Sequence, residues 1–423
     1  MREVHRYIAD SIYDSDRFDS LVERVAAYKL QPTDRKVAVV GAGPTGLTAA
    51  FYLALLGHEV TVYETNPMPG GMLRYALPEY RLPKSALDRE IELIERMGVE
   101  FVCDTVIGRD ISLNELDNMY NAVFISIGTW KESWVYLPGT ELKGVLPALI
   151  FLEAVSKREP AQLGHKVVVI GGGNAAIDSA RTALRKGADV TVIYRRERKD
   201  MPAIKEETDA AEAEGAKFIF LATPHRIVGD EQSNVKAIEV VKTRLGEFDS
   251  SGRRKPVPTE EIRRYECDTV ILAVGETVEP DFGRGSGLKI TESGTIEVDR
   301  FTLETSRNKF YAGGDAITGA SNVSNAMGYG KKAARNIDQR LMGAARFDRI
   351  MPRFEYSKAP PAQPSECHRH ELAELPARER VLNFNEAMLG LDAQQALDEA
   401  GRCLRCDIRE NQHGHRVADL VEV

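Results

Sequence analysis

Two stretches of the chain repeat one pattern: a buried strand, a glycine-rich turn, a helix and a second strand. Residues 36–64 have the sequence KVAVVGAGPTGLTAAFYLALLGHEVTVYE, and residues 166–196 have the sequence KVVVIGGGNAAIDSARTALRKGADVTVIYRR. A strand that passes through a helix into the next strand is typical of a βαβ unit in a parallel sheet. The units lie too far apart, and differ too much outside the turn, for a solenoid repeat. The sequence therefore predicts an α/β protein with two Rossmann-like dinucleotide-binding domains.

The first turn has the spacing Gly41-x-Gly43-x-x-Gly46 between the predicted strand and the predicted helix. Glycines at these positions allow a tight turn, a close approach of the backbone to a pyrophosphate, and close packing of helix on strand. Glu64 ends the next strand, where a carboxylate can accept hydrogen bonds from an adenosine ribose. A glycine turn alone also occurs where nothing binds, but the turn and the acid together predict a dinucleotide site.

The second turn has the spacing Gly171-x-Gly173-x-x-Ala176, in which alanine is an accepted third residue. Its next strand ends in Arg195 and Arg196 in place of an acid. A carboxylate there would repel a 2′-phosphate, whereas arginine offers it a two-pronged donor. The alternative is that RRERK is a solvated basic stretch. Because the arginines stand at the strand end, we favour NADP(H) over NAD(H).

The composition excludes several classes of protein. The net charge of −8 argues against a nucleic-acid partner, and no run approaches the roughly 18 apolar residues of a membrane span. The N-terminus lacks the apolar segment of a secretory signal. Five scattered cysteines in a chain of 423 residues fit the reducing cytoplasm, where thiols stay free or bind metal.

Two dinucleotide sites with different strand ends suggest a flavoprotein, in which one site holds FAD and the other a nicotinamide nucleotide. The cofactors carry the hydride chemistry, and the protein positions them and excludes water. A dedicated acid–base pair is not required. The sequence shows no nucleophile elbow, HExxH motif or paired carboxylates that would indicate another chemistry.

Four stretches resemble the small (beta) subunit of glutamate synthase and related NADPH-dependent flavin oxidoreductases, including subunits of transhydrogenase and electron-bifurcating complexes. The resemblance covers most of residues 36–342. It is carried by VAVVGAGPTGLTAAFYLALLGHEVTVYE, PGGMLRYALPEYRLP, VVVIGGGNAAIDSARTALRKGADVTVIYRRERKDMPA and FYAGGDAITGASNVSNAMGYGKKAARNI. The second stretch and the YRR…MPA segment are not general features of Rossmann folds.

The resemblance implies an NADP(H) domain inserted into an FAD domain. The expected parts are a helical N-terminal segment, two FAD segments around the NAD(P)H domain, a proline-rich linker and a helical cysteine-containing tail. The N-terminal segment is expected over 1–35, and the FAD segments over 36–150 and 280–342. The NAD(P)H domain is expected over 151–279, the linker over 343–366 and the tail over 367–423.

The resemblance also implies roles for individual residues. For FAD, these cover the pyrophosphate turn, the ribose acid, the flavin side, an adenine contact through the backbone of Val106, the closing loop at Gly128 and Thr129, and the helix start facing the flavin O2 edge. The implied FAD residues are Gly41, Gly43, Pro44, Thr45, Gly46, Glu64, Gly71, Met72, Arg81, Val106, Gly128, Thr129, Gly314, Asp315, Val323 and Ala326. The implied NADP(H) residues are Gly171, Gly173, Asn174, Ala175, Arg195 and Arg196. Asp315 also has a simpler interpretation, because acids are common in turns.

The tail contains EAGRCLRC, which resembles a cluster-binding stretch that the family usually carries near its N-terminus. A cluster normally takes four thiolates, and the tail offers Cys367, Cys403 and Cys406. Three alternatives stay open. In the first, Cys403 and Cys406 complete an iron–sulfur or zinc site with Cys367 or with a histidine (His368, His370, His413 or His415). In the second, a partner subunit supplies the missing ligands, and in the third the cysteines bind no metal. A redox-active pair is disfavoured because the pair follows a helix, whereas a reactive pair usually opens one.

We therefore expect an FAD-dependent NADP(H) oxidoreductase subunit of a hetero-oligomer. It would exchange hydride between NADP(H) and flavin and relay electrons to iron–sulfur or flavin partner subunits, as in transhydrogenase or electron-bifurcating complexes. The alternatives are a glutamate synthase small subunit, a non-catalytic nucleotide-binding scaffold subunit, and a free-standing disulfide or quinone reductase. We expect no nucleic acid and no membrane insertion.

Overall fold

The computed structural model of the protein describes residues 2–13, 15–132, 137–248, 252–278, 286–351 and 368–402. Within these ranges the strands are β1 (Lys36–Val40), β2 (Glu59–Tyr63), β3 (Val99–Val102), β4 (Ala122–Ile125), β5 (Lys131–Glu132), β6 (Val145–Pro147), β7 (Lys166–Ile170), β8 (Asp189–Tyr194), β9 (Lys217–Phe220), β10 (Ala222–Gly229), β11 (Val235–Phe248), β12 (Arg254–Glu266), β13 (Thr269–Leu272), β14 (Glu276–Thr277) and β15 (Phe310–Ala312).

The α-helices in the same ranges are α1 (Arg2–Tyr13), α2 (Arg17–Ala26), α3 (Pro44–Leu55), α4 (Met72–Tyr75), α5 (Lys84–Arg96), α6 (Leu113–Met119), α7 (Ala148–Ser156), α8 (Asn174–Arg185), α9 (Lys205–Ala213), α10 (Asp315–Thr318), α11 (Val323–Met342), α12 (Ala377–Arg380) and α13 (Ala393–Gly401). No helix in the described part of the chain is long and apolar enough to cross a membrane.

The first sheet has the strand order β15-β4-β1-β2-β3, and every pair in it is parallel. Both faces are covered, as expected for strands made of continuous apolar runs. One face packs against α3, α5 and α11 through residues such as Leu53, Ile91 and Ile337, which are almost fully buried. The opposite face packs against α6 and the segment 288–298. This sheet therefore places the first glycine turn, between β1 and α3, at the carboxyl edge of its central strand.

The second sheet has the order β6-β13-β7-β8-β9 and is also parallel throughout. α7 and α8 cover one face, where Phe151 and Ala180 are buried. The second glycine turn lies between β7 and α8, in the same position relative to its sheet as the first turn. The prediction of an α/β protein with two Rossmann-like folds is confirmed.

An antiparallel sheet of order β10-β11-β12 covers the other face of the second parallel sheet. Ile227 and Ile238 pack there against Val168 and Ile193. β11 and β12 form a long hairpin whose far half, beyond Thr243, is mostly exposed. This hairpin is an element that was not predicted from the sequence.

Two short strands join the parallel sheets, since β5 and β14 pair antiparallel where the chain passes from one sheet to the other and back. β6 and α7 follow the first crossing, and β6 pairs with β13 in the second sheet. Residues 145–150 therefore pack with the second sheet, whereas they were expected to end the first segment of the FAD domain. The short β6 has no glycine turn after it and so gave no signal.

The terminal segments also differ in part from expectation. α1 and α2 match the predicted N-terminal helices; Val4, Phe18 and Val22 are buried, whereas Ile8 is 49% exposed. Residues 343–351 were expected to begin a linker, yet Phe347 and Ile350 are buried in the first core. Over 368–402, the part of the expected helical tail that the structure describes, the helices are α12 and α13. The rest of the linker and tail lies outside the described residues.

Candidate functional site

The first glycine turn is tightly packed at two of its three glycines. Gly41 has a φ of +98°, and a side chain there would strike the Ser126 carbonyl. A side chain on Gly46 would collide with the Gly41 carbonyl oxygen. Ser126 Oγ also donates to that same oxygen at 3.0 Å. These contacts hold the start of α3 against the end of β1.

The middle glycine of the turn faces open space. Gly43 has an extended backbone, with φ −77° and ψ −179°, and it directly precedes α3. The nearest atom to a Cβ built there is the Cα of Gly71, at 4.0 Å. Gly71 itself has a φ of +54° and faces Gly43. The two glycines thus leave a bare stretch of backbone beside the N–H groups of the helix start, as an approaching pyrophosphate requires.

Glu64 is buried beside this turn, with 6% of its surface exposed. The Ala42 N–H donates to Glu64 Oε2 at 2.9 Å, and the Asn66 N–H donates to Glu64 Oε1 at 2.9 Å. The carboxylate therefore bridges the glycine turn and the end of β2. Since each carboxylate oxygen can accept more than one hydrogen bond, this arrangement leaves capacity for ribose hydroxyls.

Thr129 and Gly314, which the resemblance also assigns to FAD, are buried. Thr129 is 1% exposed, and its Oγ1 has no hydrogen-bond partner among the described residues. Gly314 has a φ of +67°, and a side chain there would collide with Thr45 Oγ1. A buried hydroxyl without a partner is costly, so Thr129 is suited to a polar group of a ligand.

Asp315 begins α10 and accepts a hydrogen bond from Ser321 Oγ at 2.6 Å. Glu276, which the sequence analysis did not single out, lies beside it. Burial, and then the nearby Asp315 carboxylate, raise the pKa of Glu276. The crossing strand β14 thus brings a second acid to this edge of the site. No sequence pattern indicates that Glu276 lies near Asp315, because the two residues come from distant parts of the chain.

The start of α11 completes the site. Asn322 caps the helix by accepting from the Asn325 N–H at 2.9 Å. Val323 is 42% exposed and Met327 is 48% exposed, whereas Ala326 is buried at 8%. One turn further along, a side chain on Gly330 would collide with the Thr45 carbonyl. This close packing fixes an apolar helix start beside the first turn, where a helix dipole favours negative charge.

These residues fit a bound flavin dinucleotide. The bare backbone at Gly43 matches the pyrophosphate, the Glu64 carboxylate matches the ribose, and the exposed apolar side chains of Val323 and Met327 offer a face to a flat ring. Thr129 Oγ1, which has no hydrogen-bond partner among the described residues, offers a polar group to the ligand. Pro44 and Met72, also implied by the resemblance, begin α3 and α4 respectively at the two facing glycines.

Two implied FAD residues are engaged in other contacts. The Val106 N–H donates to Asp110 Oδ2 at 2.8 Å, and the adenine contact of the Val106 backbone stays a prediction. Arg81 Nη1 donates to both Asp178 oxygens, at 2.8 and 2.7 Å. Arg81 Nε lies 3.2 Å from Glu207 Oε1. Asp178 and Glu207 both follow the second glycine turn and belong to the second Rossmann-like unit. The Arg81 side chain, from the first unit, therefore contacts the second unit.

The Arg81 contacts belong to a larger buried charge cluster, which we define as Tyr80, Arg81, Asp178, Arg181, Arg185, Glu207, Glu214 and Arg380. Glu214 accepts from Arg185 Nη1 at 2.7 Å and from Arg181 Nε at 3.0 Å. Arg380 Nε, from the C-terminal segment, lies 2.8 Å from Glu214 Oε1. Burial opposes ionisation of Glu214, but the surrounding guanidinium groups lower its pKa overall.

The same cluster surrounds an aromatic ring. The Arg185 guanidinium lies 3.8 Å from the centroid of the Tyr80 ring, and burial raises the pKa of the Tyr80 hydroxyl. Burial also raises the pKa of Asp178 to about 6, although Arg81 opposes this. A cavity of about 240 Å³ adjoins the cluster. The members of the cluster come from three separated parts of the chain, so no local sequence pattern indicates it.

The second glycine turn repeats the geometry of the first, except that Ala176 takes the place of the third glycine. Gly171 has a φ of +145°, and a Cβ built there would lie 3.2 Å from the Cβ of Ala176. The absence of a side chain at Gly171 thus makes room for alanine in the third position. Among the described residues, nothing lies within 4 Å of a Cβ placed on Gly173, so its backbone is open to a ligand. Asn174 begins α8 and accepts from the Ile204 N–H at 3.0 Å, and Ala175 follows it.

The two strand-end arginines differ in environment. Arg195 is exposed and makes no ion pair within the described residues. Arg196 is 3% exposed, and its Nε donates to the Arg254 carbonyl at 2.8 Å. Both line a cavity of about 590 Å³ with residues from the β11–β12 hairpin. Of the remaining RRERK cations, Arg198 pairs with α9 and Lys199 with Glu197. The arginine pair, and not the whole basic stretch, faces the pocket.

The three cysteines proposed as metal ligands, Cys367, Cys403 and Cys406, lie outside the described residues. Among the residues that are described, no group of three or more metal-binding side chains comes together. His370 already contacts α13, since its Nε2 lies 3.2 Å from Asp398 Oδ2. Cys267 is buried, which raises the pKa of its thiol to about 12, while Cys103 is only half-buried. The metal site stays a prediction.

Comparison with known proteins places this geometry in a family. A family described as pyridine nucleotide-disulphide oxidoreductase matches residues 35–330. The NADP(+)-dependent formate dehydrogenase subunit beta of Moorella thermoacetica is 40% identical over 386 residues, which cover 88% of this chain and 54% of that protein. The NADPH-Fe(3+) oxidoreductase subunit beta of Geobacter sulfurreducens is 39% identical over 425 residues, with 90% and 63% covered. The chain thus spans 54–63% of the length of these two relatives.

A shorter relative agrees with this placement, and two solved structures share the fold. The glutamate synthase [NADPH] small chain of Halomonas elongata is 36% identical over 79% of this chain and 72% of that protein. FprA from Mycobacterium tuberculosis has a TM-score of 0.64 at 20% identity, with 77% of this chain and 88% of that chain covered. Lactococcus lactis thioredoxin reductase has a TM-score of 0.56 at 21% identity, with 74% and 100% covered. The two structures support the fold alone. The predicted oxidoreductase class and the resemblance are confirmed: this chain belongs to the pyridine nucleotide-disulphide oxidoreductase family.

Proposed function

We propose that the chain is an FAD-dependent NADP(H) oxidoreductase subunit. It exchanges hydride between NADP(H) and the flavin and relays electrons to iron–sulfur or flavin partner subunits in a hetero-oligomer of the cytoplasm. The observation that carries the proposal is the difference between the two glycine turns. Both turns have an open middle glycine, but one has the buried acid Glu64 beside it and the other has the exposed cation Arg195.

The chain's own residues have clear tasks in this proposal. The first turn and the helix start at Asn322 bind and orient a flavin dinucleotide, which supplies the redox chemistry when bound. The second turn and Arg195 bind the nicotinamide dinucleotide phosphate. The crossing strands β5 and β14 hold the units side by side, so that the two nucleotide sites can approach. Burial of Thr129 and Ala326 excludes water from the flavin side.

The relatives favour a subunit over a free-standing reductase. Two of the relatives with 39–40% identity are named as beta subunits, of a formate dehydrogenase and of an NADPH-Fe(3+) oxidoreductase. We infer a similar setting for this chain, with the tail cysteines as the proposed exit for electrons. Co-purification with partners, followed by metal analysis of the complex, would identify both the acceptor and any tail metal.

We expect the purified chain to show the absorption bands of bound flavin near 370 and 450 nm and to lose the 450 nm band when NADPH is added without oxygen. The physical reason is that two nucleotide sites in one chain allow direct hydride transfer. Stopped-flow absorbance measures the rate with each nucleotide. Well-folded protein that takes up no flavin, even when FAD is added, would contradict the proposal.

Substitution of Arg195 tests the choice of nucleotide. We expect Arg195→Gln to weaken NADPH binding by roughly tenfold, because a charge-assisted hydrogen bond to a phosphate contributes about 1.5–3 kcal/mol. NADH binding should change by less than about twofold. The measurement is the dependence of the flavin reduction rate on each nucleotide. Arg196 is a poor choice for this test, because its buried side chain anchors the hairpin and its loss would disturb the fold.

A matched control uses another exposed cation of the same unit. Lys217 sits in β9 and pairs with Asp189 at the far end of the sheet. Lys217→Gln removes the same charge and should leave both nucleotides unaffected. Equal weakening of NADPH and NADH by Arg195→Gln would contradict the assignment of Arg195 to the 2′-phosphate.

A further inference from the structure

The β11–β12 hairpin is tied directly to the strand end that carries the arginine pair. Thr243 Oγ1, 2% exposed, donates to the Arg195 carbonyl at 3.0 Å. Arg196 Nε donates to the Arg254 carbonyl at 2.8 Å. Arg254 Nε in turn donates across the hairpin to the Gly246 carbonyl at 2.9 Å. The position of the hairpin is therefore fixed relative to both arginines.

This arrangement brings a third cation into the same pocket. The cavity of about 590 Å³ is lined by Arg195, Arg196, Glu247, Phe248, Lys255 and Pro256. Lys255 is exposed and forms no ion pair or hydrogen bond within the described residues. Arg195 is exposed and unpaired in the same way. Two unpaired cations that face one cavity repel each other, and an anion bound between them would relieve that repulsion.

We propose that the hairpin completes the binding site for the adenosine 2′-phosphate of NADP(H), with Lys255 as the phosphate-binding cation opposite Arg195. This inference rests on the proposed nucleotide and adds the residues of a separate antiparallel sheet to its recognition. Lysine acts as a point charge and needs no fixed geometry, whereas Arg195 supplies a planar fork. A dianionic phosphate in the pocket would meet both.

Phe248 gives the pocket a second property. Its side chain is 75% exposed, which is unusual for a phenylalanine, and it lines the pocket on the side of Glu247. An exposed aromatic ring offers a face on which an adenine can stack. The hairpin thus presents a base-stacking face and a phosphate cation within one pocket.

Glu247 is the one feature of the pocket that opposes phosphate. It is exposed and has no salt-bridge partner within the described residues. The lining nevertheless carries three cations against one carboxylate. The net positive charge of the lining favours a phosphate over a neutral ribose, and Glu247 offsets only part of it.

Binding of 2′,5′-ADP and of 5′-ADP to the full-length protein tests the inference without any need for bound flavin or hydride transfer. Isothermal titration calorimetry measures both ligands. We expect wild-type protein to bind 2′,5′-ADP more tightly, and Lys255→Gln to weaken 2′,5′-ADP binding by about tenfold while it changes 5′-ADP binding by less than twofold. Phe248→Ala should weaken both ligands by the same factor, because both contain the adenine.

Lys236→Gln is the matched control, since Lys236 is an exposed lysine near the other end of β11 and away from the pocket. It removes the same charge and should leave both affinities unchanged, whereas Lys255→Arg should keep the preference for 2′,5′-ADP. Equal losses for Lys236→Gln and Lys255→Gln, equal losses for the two ligands in Lys255→Gln, or no 2′,5′-ADP binding by the wild type would each overturn the inference. If Lys255 controls 2′,5′-ADP binding in a protein whose flavin is not reduced by NADPH, the inference stands and the proposed function fails.

Discussion

Glu214→Gln is expected to lower the free energy of unfolding by about 3–5 kcal/mol, because it leaves buried guanidinium groups without their shared counter-charge. Glu214 is the one carboxylate of the cluster that contacts Arg181, Arg185 and Arg380 together. Arg181 and Arg380 keep further partners in Glu207 and Glu374, whereas Arg185 has Glu214 as its carboxylate contact among the described residues. Urea unfolding at neutral pH, followed by fluorescence or circular dichroism, measures the change.

The matched control is Glu212, two residues before Glu214 in the sequence. Glu212→Gln removes a carboxylate that pairs with Arg198 at 2.7 Å on the surface, and exposed pairs contribute about 0–1 kcal/mol. A loss for Glu214→Gln no larger than that for Glu212→Gln would show that the cluster is not held by Glu214.

The pKa of Glu214 adds a pH dependence with a definite sign. Its folded-state pKa lies below the ordinary glutamate value, so its contribution to stability is present above that value. The contribution is lost as the pH falls through the lowered folded-state pKa. The wild type should therefore lose stability in acid more steeply than Glu214→Gln, and the two curves should converge at low pH.

The buried charge cluster joins the two Rossmann-like units and the C-terminal segment. Arg81 comes from the first unit, Glu214 from the second and Arg380 from the C-terminal segment, so one set of buried charges joins all three. Separating these parts would expose or unpair several charges at once. The cluster therefore favours a fixed orientation of the two nucleotide sites, and the segment 368–402 acts as part of the core contact.

Local sequence patterns predicted the parts of the site that depend on local geometry. Gly41, Gly46 and Gly171 are constrained by contacts within their own βα turns, and Glu64 stands at the end of the very next strand. Such features are visible in the sequence as a fixed spacing of residues, because the residues that contact each other in space are also close in the chain. The position of Arg195 at a strand end followed from the same reasoning.

Features built from distant segments were not predicted. The pairing of Glu214 with Arg380 and the approach of Glu276 to Asp315 depend on tertiary contacts that leave no periodic pattern. The hairpin was missed because β12 is largely polar and contains Pro256 and Pro258, which are unusual in a strand. Arg81 was assigned by resemblance alone, and its contacts with Asp178 depend on how the two units pack.

The two open glycines permit a test that separates folding from nucleotide binding. Gly43 and Gly173 have nearly the same extended backbone, with φ of −77° and −88°. In the part of the chain that the structure describes, no contact closer than 4.0 Å would meet a Cβ at either position. We expect Gly43→Ala to leave the unfolding free energy of the flavin-free protein within about 0.5 kcal/mol of wild type. It should weaken FAD binding by roughly a hundredfold, because the added methyl group keeps the pyrophosphate away from the backbone.

Gly173→Ala is the mirror control, since it should leave flavin content unchanged and weaken NADPH by a similar factor. Gly46→Ala is the contrasting variant. Its methyl group would collide with the Gly41 carbonyl and lie 2.7 Å from Ser126 Oγ, so it should destabilise the flavin-free fold itself by about 1–3 kcal/mol. Flavin titration into the flavin-free protein, paired with urea unfolding of the same sample, gives both quantities. Retention of wild-type FAD affinity in Gly43→Ala would remove the first turn as the pyrophosphate site, because no ligand phosphate could then be in contact with that backbone.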